Sequence, residues 1–252
     1  MFSQNILLVD KPAGWSSYDV IRYLKRELKS KFGKTPRVNS RGRTSEHLED
    51  RPLTPGVGEN FDLKTDLLKS DLKIGHAGTL DPMATGLLVV LLGDATKKFA
   101  EFQKLKKEYE AVIEFGKKTD TYDKEGKIVF DYDKSFEINQ EQVEKALNNF
   151  VGKINQVPPP HSAVKVSGRR AYDLARAGKK FELAPKQVEV YEAKILRIKD
   201  KRLWINFTVS SGTYIRSLAH DLGEMLGYGA YLTELRRTKI GDYDVKDAEK
   251  IN

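Results

Sequence analysis

Six consecutive apolar residues, Leu87-Leu88-Val89-Val90-Leu91-Leu92, constrain the fold of this chain more than any other stretch. A strand with one face in water alternates apolar and polar positions. An unbroken run of this length reads as a strand buried on both faces, so the fold must be built around it. Leading into the run is a tight loop of small residues, Lys73-Ile74-Gly75-His76-Ala77-Gly78-Thr79-Leu80-Asp81-Pro82-Met83-Ala84-Thr85-Gly86, with one carboxylate, Asp81, and one imidazole, His76. Its glycines let the backbone come close to a bulky partner. Pro82 pushes Asp81 out of the helical region into an extended one. The loop therefore holds a carboxylate at the mouth of a buried strand, within reach of a substrate. Asp before Pro also starts turns, so spacing alone leaves a purely structural role open.

Around this centre, strands and helices interleave. Ile6 to Val9 reads as a short strand ended by the turn Lys11-Pro12-Ala13-Gly14. Ser16 or Ser17 then caps a helix over about 18–28, with Val20, Ile21 and Leu24 on its apolar stripe. Asp94 is expected to cap a helix that turns Phe99, Phe102 and Leu105 inward. Tyr109, Ala111, Ile113 and Phe115 alternate as one face of a strand. A helix over 140–150 is capped by Asn139 and closed by Gly152. A small unit opens at Pro158-Pro159-Pro160: strand 162–166, turn Ser167-Gly168, and helix 171–177 stopped by Gly178. Strands over 187–198 and 202–210, a helix over 213–226 and a strand over 230–240 complete the pattern. Hairpin-like strand pairs among the helices favour an α+β fold, a mixed and mostly antiparallel sheet flanked by helices.

The net charge of +8 sits in one place. Between Lys11 and Ser45 there are ten Lys/Arg against two acids, and the remaining 34 basic and 34 acidic residues cancel. Such a block is a candidate polyanion footprint, with a solvated linker as the plain alternative. Residues 31–71, rich in Gly, Pro, Ser, Asn and charge, read as an inserted mobile loop. The N-terminal apolar run is only four residues long, so no signal peptide is read there, and no run approaches a membrane span. With no cysteine, disulfides, thiolate nucleophiles and Cys-based zinc sites are excluded. A cytoplasmic location is the default expectation. No GxGxxG or P-loop pattern follows a strand and no HExxH or paired-ligand spacing occurs, so neither a cofactor nor a metal is expected.

Two further residues invite chemistry. Arg216 sits in the first turn of the helix over 213–226, where the macrodipole disfavours a cation by a few tenths of a kcal/mol to about 1 kcal/mol. An anion shared with the helix N-terminus would explain it, and Asp81 or a phosphate are the candidates. A solvent-facing arginine that tolerates the penalty is the alternative. Tyr109, first on an inward face, would place its ring at a sheet edge with its hydroxyl near a cleft.

Taken together, these residues form a recognisable set. The chain resembles the TruB-type tRNA pseudouridine synthases over most of its length and in the right order. The likeness rests on Leu7-Leu8-Val9-Asp10-Lys11-Pro12-Ala13-Gly14 with Ser16-Ser17, on the segment His76 to Gly86, and on Gly93-Asp94-Ala95-Thr96-Lys97. It continues through Lys107-Glu108-Tyr109, Lys118-Thr119-Asp120-Thr121-Tyr122-Asp123, Gln156-Val157-Pro158-Pro159-Pro160, Ser162-Ala163-Val164-Lys165 and Arg170-Ala171-Tyr172-Asp173-Leu174-Ala175-Arg176. Ser211-Gly212-Thr213-Tyr214-Ile215-Arg216-Ser217-Leu218 and Leu235-Arg236-Arg237 close it.

The resemblance implies the pseudouridine synthase fold and isomerisation of the uridine at position 55 in the T loop of tRNA, with no cofactor. It implies that Asp81 is the catalytic carboxylate, attacking C1′ or abstracting the 2′ proton to give a glycal. Tyr109 would contact the base and Arg216 would pair with the aspartate. His76, Tyr214 and Leu235 would line the pocket of the flipped uracil. Lys97 and Asp123 fall in matching segments and are expected to meet the substrate. The unit from about 158 to 185 matches an RNA-clasping thumb, where Lys165, Arg169, Arg170 and Arg176 would serve phosphates.

Two departures stand out. The basic insertion is longer than the connection expected in bacterial members. The chain also stops at Asn252, so the family's usual C-terminal PUA-like domain is expected to be absent, with weaker tRNA binding or compensation by the basic block. The expectation is thus one catalytic domain over 1–252, acting as a monomer on the tRNA T-stem-loop, with no membrane partner. A guide-RNA-dependent box H/ACA-type synthase and a non-catalytic tRNA chaperone are the alternatives.

Overall fold

The structure, a computed structural model, describes residues 5–32 and 73–251. Almost all of the basic insertion expected over 31–71 therefore lies outside the described residues. Two compact units emerge, one from residues 1–103 with 242–252, the other from 104–241.

In the first unit the apolar run is β3 (Thr85–Leu92), and Leu87 through Leu92 are each at most 1% exposed. It lies antiparallel to β1 (Ile6–Lys11) and to the short β2 (Ile74–His76). Glu249–Lys250 adds parallel to β1. Leu88, Val90 and Leu92 form a core with Val9 and with Val20 and Ile21 of α1 (Ser17–Phe32), and Leu24 packs against it. Ser16 is the cap: the Asp19 amide donates to its Oγ (3.1 Å), and its own amide donates to the Asp19 carboxylate (2.8 Å).

Beyond β3 the chain departs from the expected pattern. Asp94 caps nothing; it pairs with Lys97 at 2.6 Å in a 3-10 turn over Gly93–Lys98 that runs into α2 (Phe99–Lys104). A 3-10 turn advances roughly 120° per residue rather than 100°, which rotates the face expected from α-helical spacing. Phe102 is accordingly buried against Tyr243, while Phe99 is 41% exposed.

The second unit is an antiparallel sheet of β4 (Lys107–Phe115), β7 (Gly152–Gln156), β10 (Lys186–Lys199), β11 (Arg202–Val209) and β12 (Ala230–Ile240), in the order β12-β4-β11-β10-β7. The hairpin β5 (Lys117–Thr119) and β6 (Ile128–Asp131), α3 (Gln140–Asn148), the hairpin β8 (Lys165–Val166) and β9 (Arg169–Arg170), and α4 (Ala171–Arg176) are set into the connections. Tyr109, Ala111, Ile113 and Phe115 are all buried as the alternation predicts, and the first three sit opposite Phe207, Ile205 and Leu203. Asn139 caps α3 as expected, but the helix closes at Asn149 and Gly152 instead opens β7. The strand expected over 162–166 shrinks to its last two residues.

Helix α5 (Ile215–Leu226) packs on β12 and ends at Gly227, whose φ of 81° is the left-handed conformation glycine favours. At Gly223 a Cβ would stand 2.1 Å from the Ala230 amide nitrogen, so only glycine permits this approach. The fold is α+β with mostly antiparallel strand pairs, as the sequence reading expected. Among the described residues no helix is long and apolar enough to cross a membrane.

Candidate active site

Asp81 follows β2 on a half-buried loop whose peptide groups are fixed on both sides by the β1–α1 connection. Ser17 Oγ accepts from the Leu80 amide (2.9 Å) and donates to the Leu80 carbonyl (3.2 Å). On the other side, the Pro82 carbonyl accepts from the Gly14 amide (2.8 Å) and from the Lys11 ammonium (3.2 Å). Lys11 is fully buried, and its Nζ also donates to the carbonyls of Pro12 (3.0 Å) and Trp15 (2.6 Å). A buried ammonium is costly unless hydrogen-bonded, and these carbonyls supply the acceptors. The Ala84 amide closes a turn back to the Asp81 carbonyl at 3.1 Å. A carboxylate presented this way has little backbone freedom, as a nucleophile or base requires.

In the second unit, Arg216 occupies the first turn of α5 and is 4% exposed. Its Nη1 lies 3.3 Å from an Asp123 carboxylate oxygen and donates to the Thr121 carbonyl (2.9 Å), while Nη2 donates to the His161 carbonyl (3.2 Å). Asp123 is thus an anion that this first-turn cation meets, a contact beyond the substrate-facing role expected for it. The other Asp123 carboxylate oxygen accepts from Thr121 Oγ1 (2.6 Å) and the Glu125 amide (3.0 Å). The flanking backbone is anchored to β12: the Leu232 amide donates to the Tyr122 carbonyl and the Lys124 amide to the Leu232 carbonyl. Tyr122 takes a φ of 64° and stacks on His220 of α5 at 3.8 Å.

The start of α5 is held by Gln156 at the end of β7. Its side-chain amide donates to the Tyr214 carbonyl (3.0 Å) and its oxygen accepts from the Tyr214 amide (2.8 Å). Ser217 Oγ donates to the Val157 carbonyl at 2.8 Å. Tyr214 is therefore fixed by its main chain and half-buried. Tyr109 is buried on β4 with Arg237 opposite it on β12. Burial, with Arg237 adding repulsion, pushes the Lys107 ammonium down to about 8. Leu235 is buried opposite Ala111; a bulge between Leu232 and Glu234 lets two leucines three apart share the buried side. Behind Tyr122, burial and the Glu224 charge push Asp221 up to about 6, and burial lowers His220.

The remaining expected residues fall elsewhere. Lys165 and Arg170 face each other across the β8–β9 hairpin and are exposed, as is Arg169; positive φ angles at Ser167 (49°) and Gly168 (82°) make the tight turn. Lys97 is an exposed partner of Asp94. His76 ends β2, half-buried and paired with Val90. Four contributors escaped the sequence reading as contact-makers: Lys11, Ser17, Gln156 and Thr121. Only the polar pair Ser16-Ser17 carried a signal, since one serine sufficed as a cap. A lysine or glutamine at a strand end reads as a solvent residue. Among the described residues no cluster of His, Cys, Asp and Glu has the makings of a metal site.

Comparison with known proteins bears on this arrangement. Residues 65–215 match the model of the TruB family pseudouridylate synthase N-terminal domain, and 216–252 match the tRNA pseudouridylate synthase B C-terminal domain. A tRNA pseudouridine synthase B of Aquifex aeolicus is 39% identical over 244 residues, covering 96% of this chain and 70% of that protein. One from Bacteroides fragilis is 51% identical over 171 residues, covering 68% and 73%. The chain solved in a Cbf5-Nop10-Gar1 complex shares the fold with a TM-score of 0.63 at 24% identity, covering 99% of this chain and 53% of its own. A loop-borne aspartate, an inward tyrosine and a seated arginine thus lie on a matched sequence and a matched fold, and the chain belongs to the TruB family of pseudouridylate synthases.

Proposed function

We propose that this pseudouridine synthase acts on tRNA, converting the uridine at position 55 of the T loop to pseudouridine with Asp81 as its essential carboxylate. The observation that carries the reading is the Asp81 loop: an acid whose neighbouring peptide groups are pinned by Lys11, Gly14 and Ser17. The names of the relatives support tRNA as the substrate.

A stacked uridine has to be extruded first, at a cost of a few kcal/mol. The C1′–N1 bond then breaks, the uracil turns, and C1′–C5 forms; a proton leaves C5 and one is gained at N1. Asp81 starts this either by bonding to C1′ or by removing the 2′ proton, and Tyr109 assists loss of the C5 proton. Arg216 stabilises the carboxylate's charge. The detached base has to be retained and water kept away, unlike in glycoside hydrolysis, where water completes the reaction. The hairpin bearing Lys165, Arg169 and Arg170 gives the chain cations of its own with which to hold an RNA backbone. That favours a stand-alone enzyme over a guide-dependent one.

The test is Asp81→Asn, assayed on a T-stem-loop RNA. Pseudouridine should fall below detection while RNA affinity stays within about tenfold, with unchanged melting as the control. Full activity would remove Asp81 from the reaction. A primary isotope effect with 2′-deuterated uridine would select proton abstraction over attack at C1′.

A further inference from the structure

Part of the basic window lies on α1, where Arg22, Lys25, Arg26 and Lys29 form one helical stripe and all are exposed. Beside the stripe is a concavity of about 580 Å3, lined by Gly14, Trp15, Asp19, Arg22, Tyr23 and Arg26. Trp15 meets Tyr23 edge-on at 5.6 Å, and both rings are half-buried, leaving apolar ring surface open to a ligand. The Arg26 guanidinium stands 5.7 Å from the Tyr23 ring, and Arg22 is equally far from the exposed ring of Tyr18. Among the described residues Asp19 is the one acid in the lining. Its carboxylate accepts from the Ser16 amide and hydroxyl and pairs with Arg22, which hold it well below the usual range, so it stays ionised and offsets one of the four cations of the stripe.

The floor of the concavity is fastened to the Asp81 loop. Gly14 donates to the Pro82 carbonyl, and the Lys11 ammonium bridges the carbonyls of Trp15 and Pro82. A strand delivered to Asp81 would meet a surface of cations and rings on the same rigid piece. An acidic peptide would satisfy the cations but offers no base to lie on the rings. Cations that follow a backbone beside aromatic rings are the mark of a nucleic-acid strand.

We propose that this concavity is a second RNA contact, holding a nucleotide of the substrate other than the flipped uridine, with its base against Trp15 and Tyr23 and its phosphate between Arg22 and Arg26. The inference rests on the reading that the substrate is RNA. It adds a subsite on α1 to the hairpin cations, and it couples RNA grip to the loop that carries the catalytic acid.

The chain has two tryptophans, Trp15 and Trp204, so the Trp204→Phe protein reports on Trp15 alone. Titrating it with full-length tRNA should quench that fluorescence, saturating at the dissociation constant found by filter binding. Arg22→Ala with Arg26→Ala should weaken tRNA binding about tenfold and lower the slope of log affinity against log salt by about one, as loss of one phosphate contact predicts. Replacing both arginines by lysine should restore most of the affinity, which separates lost charge from a damaged helix. A silent Trp15, or an unchanged affinity and salt slope in the alanine variant, would overturn the proposal. The two readings fail separately. Pseudouridine formation with a silent Trp15 removes the subsite and spares the function; a quenched Trp15 with no pseudouridine formed supports the subsite and removes the function.

Discussion

The Asp81 loop and the Arg216 seat solve one problem, fixing a charged side chain, by different means. At Asp81 the surroundings are fixed: neutral peptide groups on either side are held by a hydroxyl, an amide and the ammonium of Lys11. At Arg216 the side chain itself is fixed, by a carboxylate and two carbonyls, with both charges about 95% withdrawn from solvent. The first arrangement spreads its cost over many modest hydrogen bonds, each worth about 0.5–1.5 kcal/mol net. The second concentrates it in one buried pair, where losing a partner strands a charge. An acid held through its backbone keeps its position through many small contacts. The guanidinium of Arg216 is tied down directly, through its own nitrogens.

The sharpest attempt to break that contrast is Asp123→Asn. It takes an anion away from the buried guanidinium and should cost about 3–5 kcal/mol of stability, with a rate loss of at least about 100-fold. Chemical denaturation and single-turnover kinetics would measure both, and an unchanged stability would show that the ion pair is not what seats Arg216. On the other side of the comparison, Lys11→Met removes one charged donor from several carbonyls and should cost about 2–3 kcal/mol. Its rate should fall ten- to a hundredfold while RNA affinity hardly moves, because the damage is to the attitude of Asp81. Ser17→Ala removes a single neutral bridge, so about 1–2 kcal/mol and less than tenfold in rate are expected. If Ser17→Ala proves as harmful as Asp123→Asn, the idea of distributed versus concentrated cost is wrong.

The smallest effect concerns the support behind Tyr122. Asp221 has a folded value of about 6 against an ordinary 3.8, so the folded state holds more protons between those limits. Stability therefore declines as pH rises from about 4 to 6, and the cost is present in full above 6. His220, lowered by burial, acts in the opposite sense: its contribution is lost as pH falls below its ordinary 6.5. Asp221→Asn should raise the melting temperature at pH 7 by a few degrees and leave it unchanged at pH 4. Equal shifts at both pH values would show that the carboxyl's ionisation is not responsible.

Both halves of the comparison differ in how legible they were. The turn that opens at Asp81 follows from Pro82, its immediate neighbour, and the two-faced burial of β3 follows from its unbroken apolar run. The alternation of β4 was visible for the same local reason. By contrast, the 3-10 turn at 93–98 defeated a reading based on α-helical period, and Phe99 turned outward as a result. Spacing alone leaves Ser16 and Ser17 equal as caps; the Asp19 amide selects Ser16, and Ser17 is taken up by the Leu80 amide.

By itself the sequence determined the buried strand, the placement of a carboxylate at its mouth, the inward face that carries Tyr109 and the family to which these belong. All of these depend on neighbours within a few positions or on ordered motifs. Only the tertiary structure decided that Asp123 faces Arg216, that Lys11 is buried, and that Gln156 holds the start of α5. Ser17 meets Leu80 across 63 positions, Lys11 reaches Pro82 across 71, and Arg216 meets Thr121 across 95. No local preference specifies such partners. They are chosen when packing removes water and each buried polar group has to find another within reach.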